Sequence, residues 1–239
     1  MEIIPAIDLR NGKCVRLKQG EIASERVYDD DPVQRARTFV AAGAKRLHVV
    51  DLDSAFGSGQ NQEAIARICR GVDVPVQTGG GIRTLDQANA RLAAGAAFVI
   101  LGTLLVEDER MSRNILGHLG ERVIVGIDAR GSRVAVRGWA ESTPVDRDAL
   151  VKRVAGWGAT RLIFTEILRD GMGEGYDQAA LAAVAHIFNG RVTASGGAHS
   201  IDDLLALKNQ APKNVDACIV GSALYEGTIN LAEAITALN

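Results

Sequence analysis

The sequence predicts a single α/β domain, a (β/α)8 barrel made of two similar half-barrels, and three observations lead to this prediction. Short apolar, β-branched runs alternate eight times with longer segments of helical periodicity, which is the pattern of βα units around a parallel sheet. The 239 residues suit one such barrel, and no linker or low-complexity tract divides them. Several short motifs of the first half recur in the second half, about 120 residues further along the chain.

The internal repeat is clearest in four pairs of motifs that keep the same order in both halves. Their nearly constant spacing indicates a duplicated half-fold, with half-barrels of about residues 1–120 and 121–239 within the single domain 1–239. A doubly wound open sheet is the alternative, but it does not explain a twofold repetition of four units. The pairs are Ile7–Arg10 with Ile127–Arg130, Ala42–Ala44 with Trp157–Ala159, Gly80-Gly81 with Gly196-Gly197, and Ile100–Thr103 with Val220–Ser222.

The predicted strands are the short apolar runs, and two of the loops that follow them are elaborated. Lys13–Leu17 after the first strand and Arg133–Arg137 after the fifth are predicted to form small added hairpins at equivalent places in the two halves. The strands are Ile3–Leu9, Arg46–Leu52, Val74–Thr78, Phe98–Leu101, Val123–Ile127, Leu162–Thr165, Val192–Ala194 and Ala217–Val220.

The predicted helices carry recognisable start and stop signals. Pro32 suits a first helical turn, and Thr84 and Ser200 suit N-caps because acidic residues follow them. Glycine falls where helices should stop before the next strand, at positions 43, 95 and 158. The helices are expected near residues 32–43, 61–70, 84–94, 108–119, 146–157, 177–188, 200–209 and 230–238.

Composition excludes several classes of function. A net charge of −2 gives no whole-protein attraction to nucleic acid or to an anionic membrane, and no segment is long and apolar enough to span one. The N-terminus lacks the pattern of a signal peptide, and three scattered cysteines argue against disulfides, so we expect a cytoplasmic protein. The cysteines and the four histidines lack the spacing of metal ligands, so neither a metal nor another cofactor is expected. We also expect a monomer.

Two glycine-rich loops are predicted to bind phosphate groups. In a (β/α)8 barrel the site lies at the carboxyl ends of the strands, and these loops begin there. A glycine pair admits a phosphate close to backbone N–H groups, and a following helix start favours the negative charge. The alternative is that each pair only turns the chain from strand to helix. The predicted phosphate ligands are Gly80, Gly81, Gly102 and Thr103 in the first half, and Gly196, Gly197, Gly221 and Ser222 in the second.

Two aspartates are the candidates for acid–base chemistry. Asp8 ends the first strand and Asp128 ends the fifth, which places them across the barrel from each other. Two carboxyl groups on opposite sides of a substrate can remove a proton at one atom and deliver one at another. Alternatively, each aspartate caps a loop or pairs with the neighbouring Arg10 or Arg130.

Other strand-end and loop residues allow both a functional and a structural interpretation. Thr165 can bind substrate or hold Asp128, and Asp170 is either catalytic or solvated. Trp139 can stack on a heteroaromatic base or close its loop. The strand-end rule also selects Asp51 and Glu166, and residues 53–61 are predicted to be a mobile flap. His48 is either a structural core residue or a substrate contact. The candidate partners for anionic groups are Arg16, Arg83 and Arg137.

Taken together, these motifs resemble the phosphoribosylformimino-aminoimidazole-carboxamide ribonucleotide isomerases of histidine biosynthesis. The resemblance runs from end to end of the chain. The motifs that carry it are Pro5–Leu9, Gly12–Leu17, His48–Asp53, Gly79–Arg83, Arg137–Trp139, Ala194–Gly197 and Gly221–Gly227.

The resemblance implies a (β/α)8 (TIM) barrel that needs no cofactor and acts on a small nucleotide with two ribose phosphates. The implied reaction is an Amadori rearrangement of an aminoaldose to an aminoketose, with Asp8 as base, Asp128 as acid, and Thr165 and Asp170 assisting.

Two departures from the family pattern bear on the substrate. Met172 and Tyr176 replace the usual residues of the loop after the sixth strand, and Gly175–Asp177 resembles the sister cyclase, which needs a glutaminase partner. Phe56–Asn61 resembles a bifunctional relative that also isomerises phosphoribosylanthranilate. We expect the histidine substrate alone, with the bifunctional isomerase as the alternative, the cyclase as a weaker one, and a non-catalytic phosphosugar-binding module disfavoured by the two strand-end carboxylates.

Overall fold

A computed structural model describes residues 1–18 and 20–239, and eight parallel strands close into a barrel in it. The barrel closes where the last strand pairs with the first, with Glu2 opposite Ala217 and Pro5 opposite Val220. In ring order its strands are β1, β4, β5, β6, β7, β10, β11 and β12. The strands are β1 (Glu2–Arg10), β2 (Lys13–Lys18), β3 (Glu21–Asp29), β4 (Leu47–Asp51), β5 (Val76–Gly79), β6 (Phe98–Leu101), β7 (Val123–Arg130), β8 (Arg133–Val136), β9 (Glu141–Asp146), β10 (Arg161–Glu166), β11 (Arg191–Ser195) and β12 (Val215–Val220).

Helices surround the barrel, and the main core lies between the two layers. Side chains such as Ile7, Leu47 and Ile127 are fully buried there. A second, smaller cluster fills the inside of the barrel and includes Ile4, Ile124 and Ile163. The helices are α1 (Pro32–Ala41), α2 (Leu52–Phe56), α3 (Gln62–Gly71), α4 (Leu85–Ala93), α5 (Leu104–Glu107), α6 (Glu109–Leu119), α7 (Arg147–Gly156), α8 (Gln178–Ile187), α9 (Ile201–Gln210), α10 (Ser222–Glu226) and α11 (Leu231–Leu238), with a 3-10 turn at Gly120–Arg122.

The predicted strands and helices are confirmed, with ends displaced by a few residues at most. The third strand of the barrel, β5, starts at Val76 rather than Val74. Pro75 precedes it and has no backbone N–H to donate to a neighbouring strand. Thr84 and Ser200 cap their helices as predicted, each in a reciprocal capping box. The short helices α2, α5 and α10 have too few residues for a helical period and were not predicted.

Both added hairpins are confirmed and are longer than predicted. β2 and β3 extend from β1, and β8 and β9 extend from β7. β1 and β7 open the two predicted half-barrels, so the hairpins lie at equivalent places in the two halves.

In the ranges 1–18 and 20–239, we find no helix with the length and apolar character that a membrane crossing requires.

Candidate active site

A cavity of about 220 Å³ opens at the carboxyl ends of the barrel strands. It is lined by sixteen residues for which the sequence predicted a catalytic or binding role, most of them just after the barrel strands and three of them on the added hairpins. Those residues are Asp8, Arg16, Gly80, Gly81, Arg83, Gly102, Thr103, Asp128, Arg137, Trp139, Thr165, Asp170, Gly196, Gly197, Gly221 and Ser222.

Asp8 is paired with a cation. The added hairpin brings Arg16 back over the end of β1, where its Nη1 donates to Asp8 Oδ2 at 2.5 Å. Both side chains are largely enclosed, at 14% and 15% exposure. Burial raises the pKa of Asp8, and the Arg16 guanidinium opposes that rise.

Asp128 has neutral hydrogen-bond donors instead. The indole Nε1 of Trp139 donates to Asp128 Oδ2 at 2.8 Å, and Thr165 donates from the neighbouring strand β10. Burial raises the pKa of Asp128, and these two hydrogen bonds only partly offset it. The two carboxyls therefore lie in one cavity in different electrostatic environments.

Asp170 is the third carboxyl of the cavity. It lies in the loop after β10, with Oδ2 3.8 Å from Arg16 Nη2. Burial raises its pKa, Arg16 opposes the rise, and the charges of Asp8 and Asp128 add to it. The Arg16 guanidinium thus lies beside two of the three carboxyls. Because one positive charge cannot balance three negative charges, one of the carboxyls is favoured to hold a proton.

The adjacent arginines do not pair with the two strand-end aspartates, contrary to the structural alternative. Arg10 forms an ion pair with Glu25, and Arg130 donates to the carbonyl of Trp139 at 3.2 Å.

The first glycine loop requires glycine for conformational reasons. Gly80 and Gly81 have φ values of +102° and +69°. A Cβ on Gly80 would lie 2.2 Å from the carbonyl oxygen of Asp51, and one on Gly81 would lie 2.5 Å from that of Ser54. Replacing Gly81 by valine would therefore strain the fold and would not isolate an effect on binding.

The second glycine loop is held against the loop after β10. Gly196 and Gly197 also have positive φ values, and the carbonyl of Gly197 accepts from Gly175 N at 3.1 Å. At Gly221 a Cβ would lie 2.7 Å from the Arg16 guanidinium. Glycine at this position therefore admits Arg16 beside Asp8.

The loop between β8 and β9 carries two of the predicted binding residues. Arg137 donates from its backbone N–H to Thr103 Oγ1 at 2.8 Å, while its side chain forms ion pairs with Glu107 and Glu141. Residues 137–139 all have positive φ values, although two of them are not glycine. Arg83 lines the cavity in the loop after β5.

Asp51 and Glu166, also selected by the strand-end rule, do not line the cavity. Side chains alternate along a strand, so the residue after an inward-facing one points outward. Asp51 is fully buried and accepts from Arg91 Nη2 at 2.6 Å, and Glu166 accepts from the backbone of Gly131 and Leu168. The alternation could have shown this from the sequence.

The predicted flap over residues 53–61 differs from the structure at both ends. Its start belongs to α2, and Asp53 and Asn61 are buried. Asn61 is a hub, since its amide donates to Leu9 O, Asp51 and Asp53 while its Oδ1 accepts from Gly12 N. No sequence pattern indicates this network, which holds the turn between β1 and β2 in place.

Among residues 1–18 and 20–239, no three His, Cys, Asp or Glu side chains gather as metal ligands would.

Comparison with known proteins gives one consistent result. The family model described as "Histidine biosynthesis protein" matches residues 2–230. The 1-(5-phosphoribosyl)-5-((5-phosphoribosylamino)methylideneamino)imidazole-4-carboxamide isomerase of Moorella thermoacetica is 45% identical over 98% of this chain and 97% of its own length. Relatives with the same name from Desulforudis audaxviator and Chloroflexus aurantiacus are each 44% identical over 98% of this chain, and over 90% and 97% of their own lengths. The chain therefore belongs to the histidine biosynthesis protein family.

Proposed function

We propose that this chain is the isomerase that converts the aminoaldose N′-(phosphoribosylformimino)-aminoimidazole-carboxamide ribonucleotide into its aminoketose by an Amadori rearrangement. One observation carries the proposal: Asp8 and Asp128 face one cavity from opposite strands, with different partners, between two related glycine loops. Isomerases with this chemistry in their names are similar to the chain over nearly its whole length. The purified protein should form the aminoketose from the aminoaldose without an added cofactor, and absence of turnover would refute the proposal.

The environments of the two carboxyls assign their roles. Asp8 beside Arg16 is suited to stay ionised and act as the base, whereas Asp128, held by neutral donors, is suited to keep a proton and act as the acid. Asp128 would protonate the ring oxygen and open the ring to an iminium. Asp8 would remove the C2 proton to give an enolamine, which takes up a proton at C1 as the aminoketose forms. Thr165 would hold Asp128, and Asp170 would share Arg16 with Asp8.

The two loop pairs suit the two phosphates. In such barrels a phosphate commonly binds at the last two strands and a short extra helix, which here are β11, β12 and α10. The internal repeat places β5, β6 and α5 in the same relation to one another. Gly80, Gly81, Gly102 and Thr103 would hold one phosphate, and Gly196, Gly197, Gly221 and Ser222 the other.

Gly102→Val is expected to raise KM about tenfold or more while kcat changes little. The nearest atom to an added Cβ is the carbonyl oxygen of Gly126, at 3.8 Å, and Gly126 lines the cavity. The valine should therefore fit the fold and project into the space assigned to a phosphate, and tenfold weaker binding corresponds to about 1.4 kcal/mol.

Gly156→Ala is the matched control for Gly102→Val. Gly156 ends α7 away from the cavity, with no atom within 4 Å of an added Cβ, so KM should not change. An unchanged KM in a folded Gly102→Val protein would remove this loop from phosphate binding. Crystals soaked in phosphate should show density in both loops.

The protein is expected not to isomerise phosphoribosylanthranilate at a useful rate. Accepting the anthranilate carboxylate would require a free arginine, and two of the three candidates are engaged: Arg16 with Asp8, and Arg137 with Glu107. The gene should therefore fail to rescue a tryptophan auxotroph that lacks phosphoribosylanthranilate isomerase, although it rescues a histidine auxotroph. Rescue of both would establish the bifunctional alternative.

We also propose that the protein acts in the cytoplasm as a monomer. All three cysteines are free, and one chain supplies every residue assigned to the site. Sedimentation of the purified protein tests the oligomeric state.

A further inference from the structure

His48 lies on the floor of the cavity and has no part in the mechanism above. In the register between β1 and β4, Asp8 pairs with Val50 and Ala6 pairs with His48, so His48 lies one layer below the proposed base on the neighbouring strand. Leu47 and Val49 are fully buried on the outer face of β4, whereas the half-buried His48 lines the cavity.

The hydrogen bond of His48 determines which ring nitrogen carries the proton. Nδ1 lies 3.0 Å from Nε2 of Gln77, its register partner on β5. With the Gln77 amide nitrogen facing the ring, this nitrogen donates, Nδ1 accepts, and the proton of the neutral ring resides on Nε2. In this orientation Gln77 leaves its oxygen buried and unpaired. The reversed orientation would bury the amide nitrogen and its two hydrogens instead.

The ring of His48 is neutral at physiological pH. Burial lowers the pKa of His48 to about 4, and the positive charge of Arg16 contributes to the shift. The charge of Asp8, two positions along β1 from the register partner of His48, is balanced by its ion pair with Arg16.

The surroundings of His48 show why a donor at this point matters. Its neighbours on the cavity floor have no polar side-chain atoms, so a sugar oxygen directed at them would lose its hydrogen bond to water without replacement. These neighbours are Ala6, Ile100, Gly126, Ile163 and Ile219.

We propose that His48 donates a hydrogen bond from Nε2 to an oxygen of the ribose that Asp8 deprotonates, and that Gln77 fixes the tautomer that makes this possible. The inference rests on the proposed function, because it specifies the part of the substrate that reaches the floor. A neutral donor orients the sugar without competing with Asp8 for its proton.

The proton position can be measured directly. In protein labelled with ¹⁵N-histidine at pH 7, the resonance missing from His48→Gln identifies His48 among the four histidines. We expect the hydrogen on Nε2, and we expect saturation with the aminoketose product to shift that resonance. A hydrogen on Nδ1, or an Nε2 resonance unaffected by product, overturns the proposal, and neither measurement requires a mutant to be active.

Kinetics provide the second arm. His48→Phe keeps a flat ring but has no donor, so kcat/KM should fall about 10- to 100-fold. His48→Gln offers an amide N–H and should lose less. Melting temperatures of both variants show whether the fold is intact, since a purely structural histidine would change stability and leave kcat/KM of the folded enzyme unchanged.

The outcomes separate the two proposals. If the wild-type enzyme isomerises the aminoaldose and folded His48→Phe does so at a similar rate, the role of His48 is overturned and the proposed function stands. A wild-type enzyme that does not isomerise the aminoaldose refutes the proposed function and this inference with it. If His48→Phe does not fold, the response of the Nε2 resonance to product decides.

Discussion

Asp8→Asn is expected to lower kcat by about two to four orders of magnitude, which is the range for removal of a general base. The asparagine keeps the shape of the side chain, and its oxygen can still accept from Arg16, so KM should change much less. Steady-state assays with the purified aminoaldose measure both constants. Retention of near-normal turnover in this variant would disprove the assignment of Asp8 as the base.

Asp216→Asn is the matched control for Asp8→Asn. Asp216 lies near the start of β12, at the opposite end of the barrel, where it pairs with the exposed Arg191. The same chemical change there should leave kcat and KM unaltered. A comparable loss in both variants would indicate a general effect of removing charge.

Asp128→Asn is expected to lower kcat by a similar two to four orders of magnitude and, at neutral pH, to raise the melting temperature. The amide oxygen still accepts from Trp139, so the loop should keep its position. The gain in stability follows from the raised pKa of Asp128. At neutral pH the wild-type folded state must either hold a proton that the unfolded chain has released or bury a charged carboxylate, and both lower the free energy of unfolding.

The pH dependence of that gain has a definite sign. Below the ordinary carboxyl pKa of 3.8, both the folded and the unfolded chain hold the proton, so the substitution has little effect. Above 3.8 the unfolded chain releases the proton first, and the wild-type protein loses stability until the pH passes the raised folded-state pKa. The variant should therefore melt higher than the wild-type protein near pH 7, and the difference should vanish near pH 4. A difference that does not depend on pH would show that the carboxyl is not the cause.

The sequence predicted the barrel well because its signals are local. Apolar runs, caps and helix-stopping glycines each act over a few residues, and Thr84, Ser200 and Pro32 lie where those rules place them. Much of the cavity lining followed from the rule that strand ends share one face, whereas Arg16, Arg137 and Trp139 reach the cavity from the added hairpins. Fold and candidate site were therefore predictable as positions along the chain.

The pairing of side chains could not be predicted in the same way. The contact of Trp139 with Asp128 depends on left-handed backbone in residues 137–139, and that of Arg16 with Asp8 depends on the space left by Gly221. Both join residues from loops whose path no periodic pattern specifies. The strand-end rule alone places Asp51 in the cavity, whereas the alternation of side chains turns it to the outer face of β4, where it pairs with Arg91.

The two strands that carry Asp8 and Asp128 are also the strands that join the halves of the barrel. β1 is hydrogen-bonded to β12, and β7 to β6, so each carboxyl lies on a strand at a boundary between the two predicted half-barrels. Each predicted half-barrel carries one of the two proposed proton-transferring carboxyls and one of the two proposed phosphate-binding loop pairs. A single half-barrel would offer such a pair of groups only as a symmetrical dimer, in which both carboxyls would have the same surroundings. In the single chain the surroundings of the two carboxyls differ, because Asp8 lies beside the Arg16 guanidinium and Asp128 lies beside the Trp139 indole.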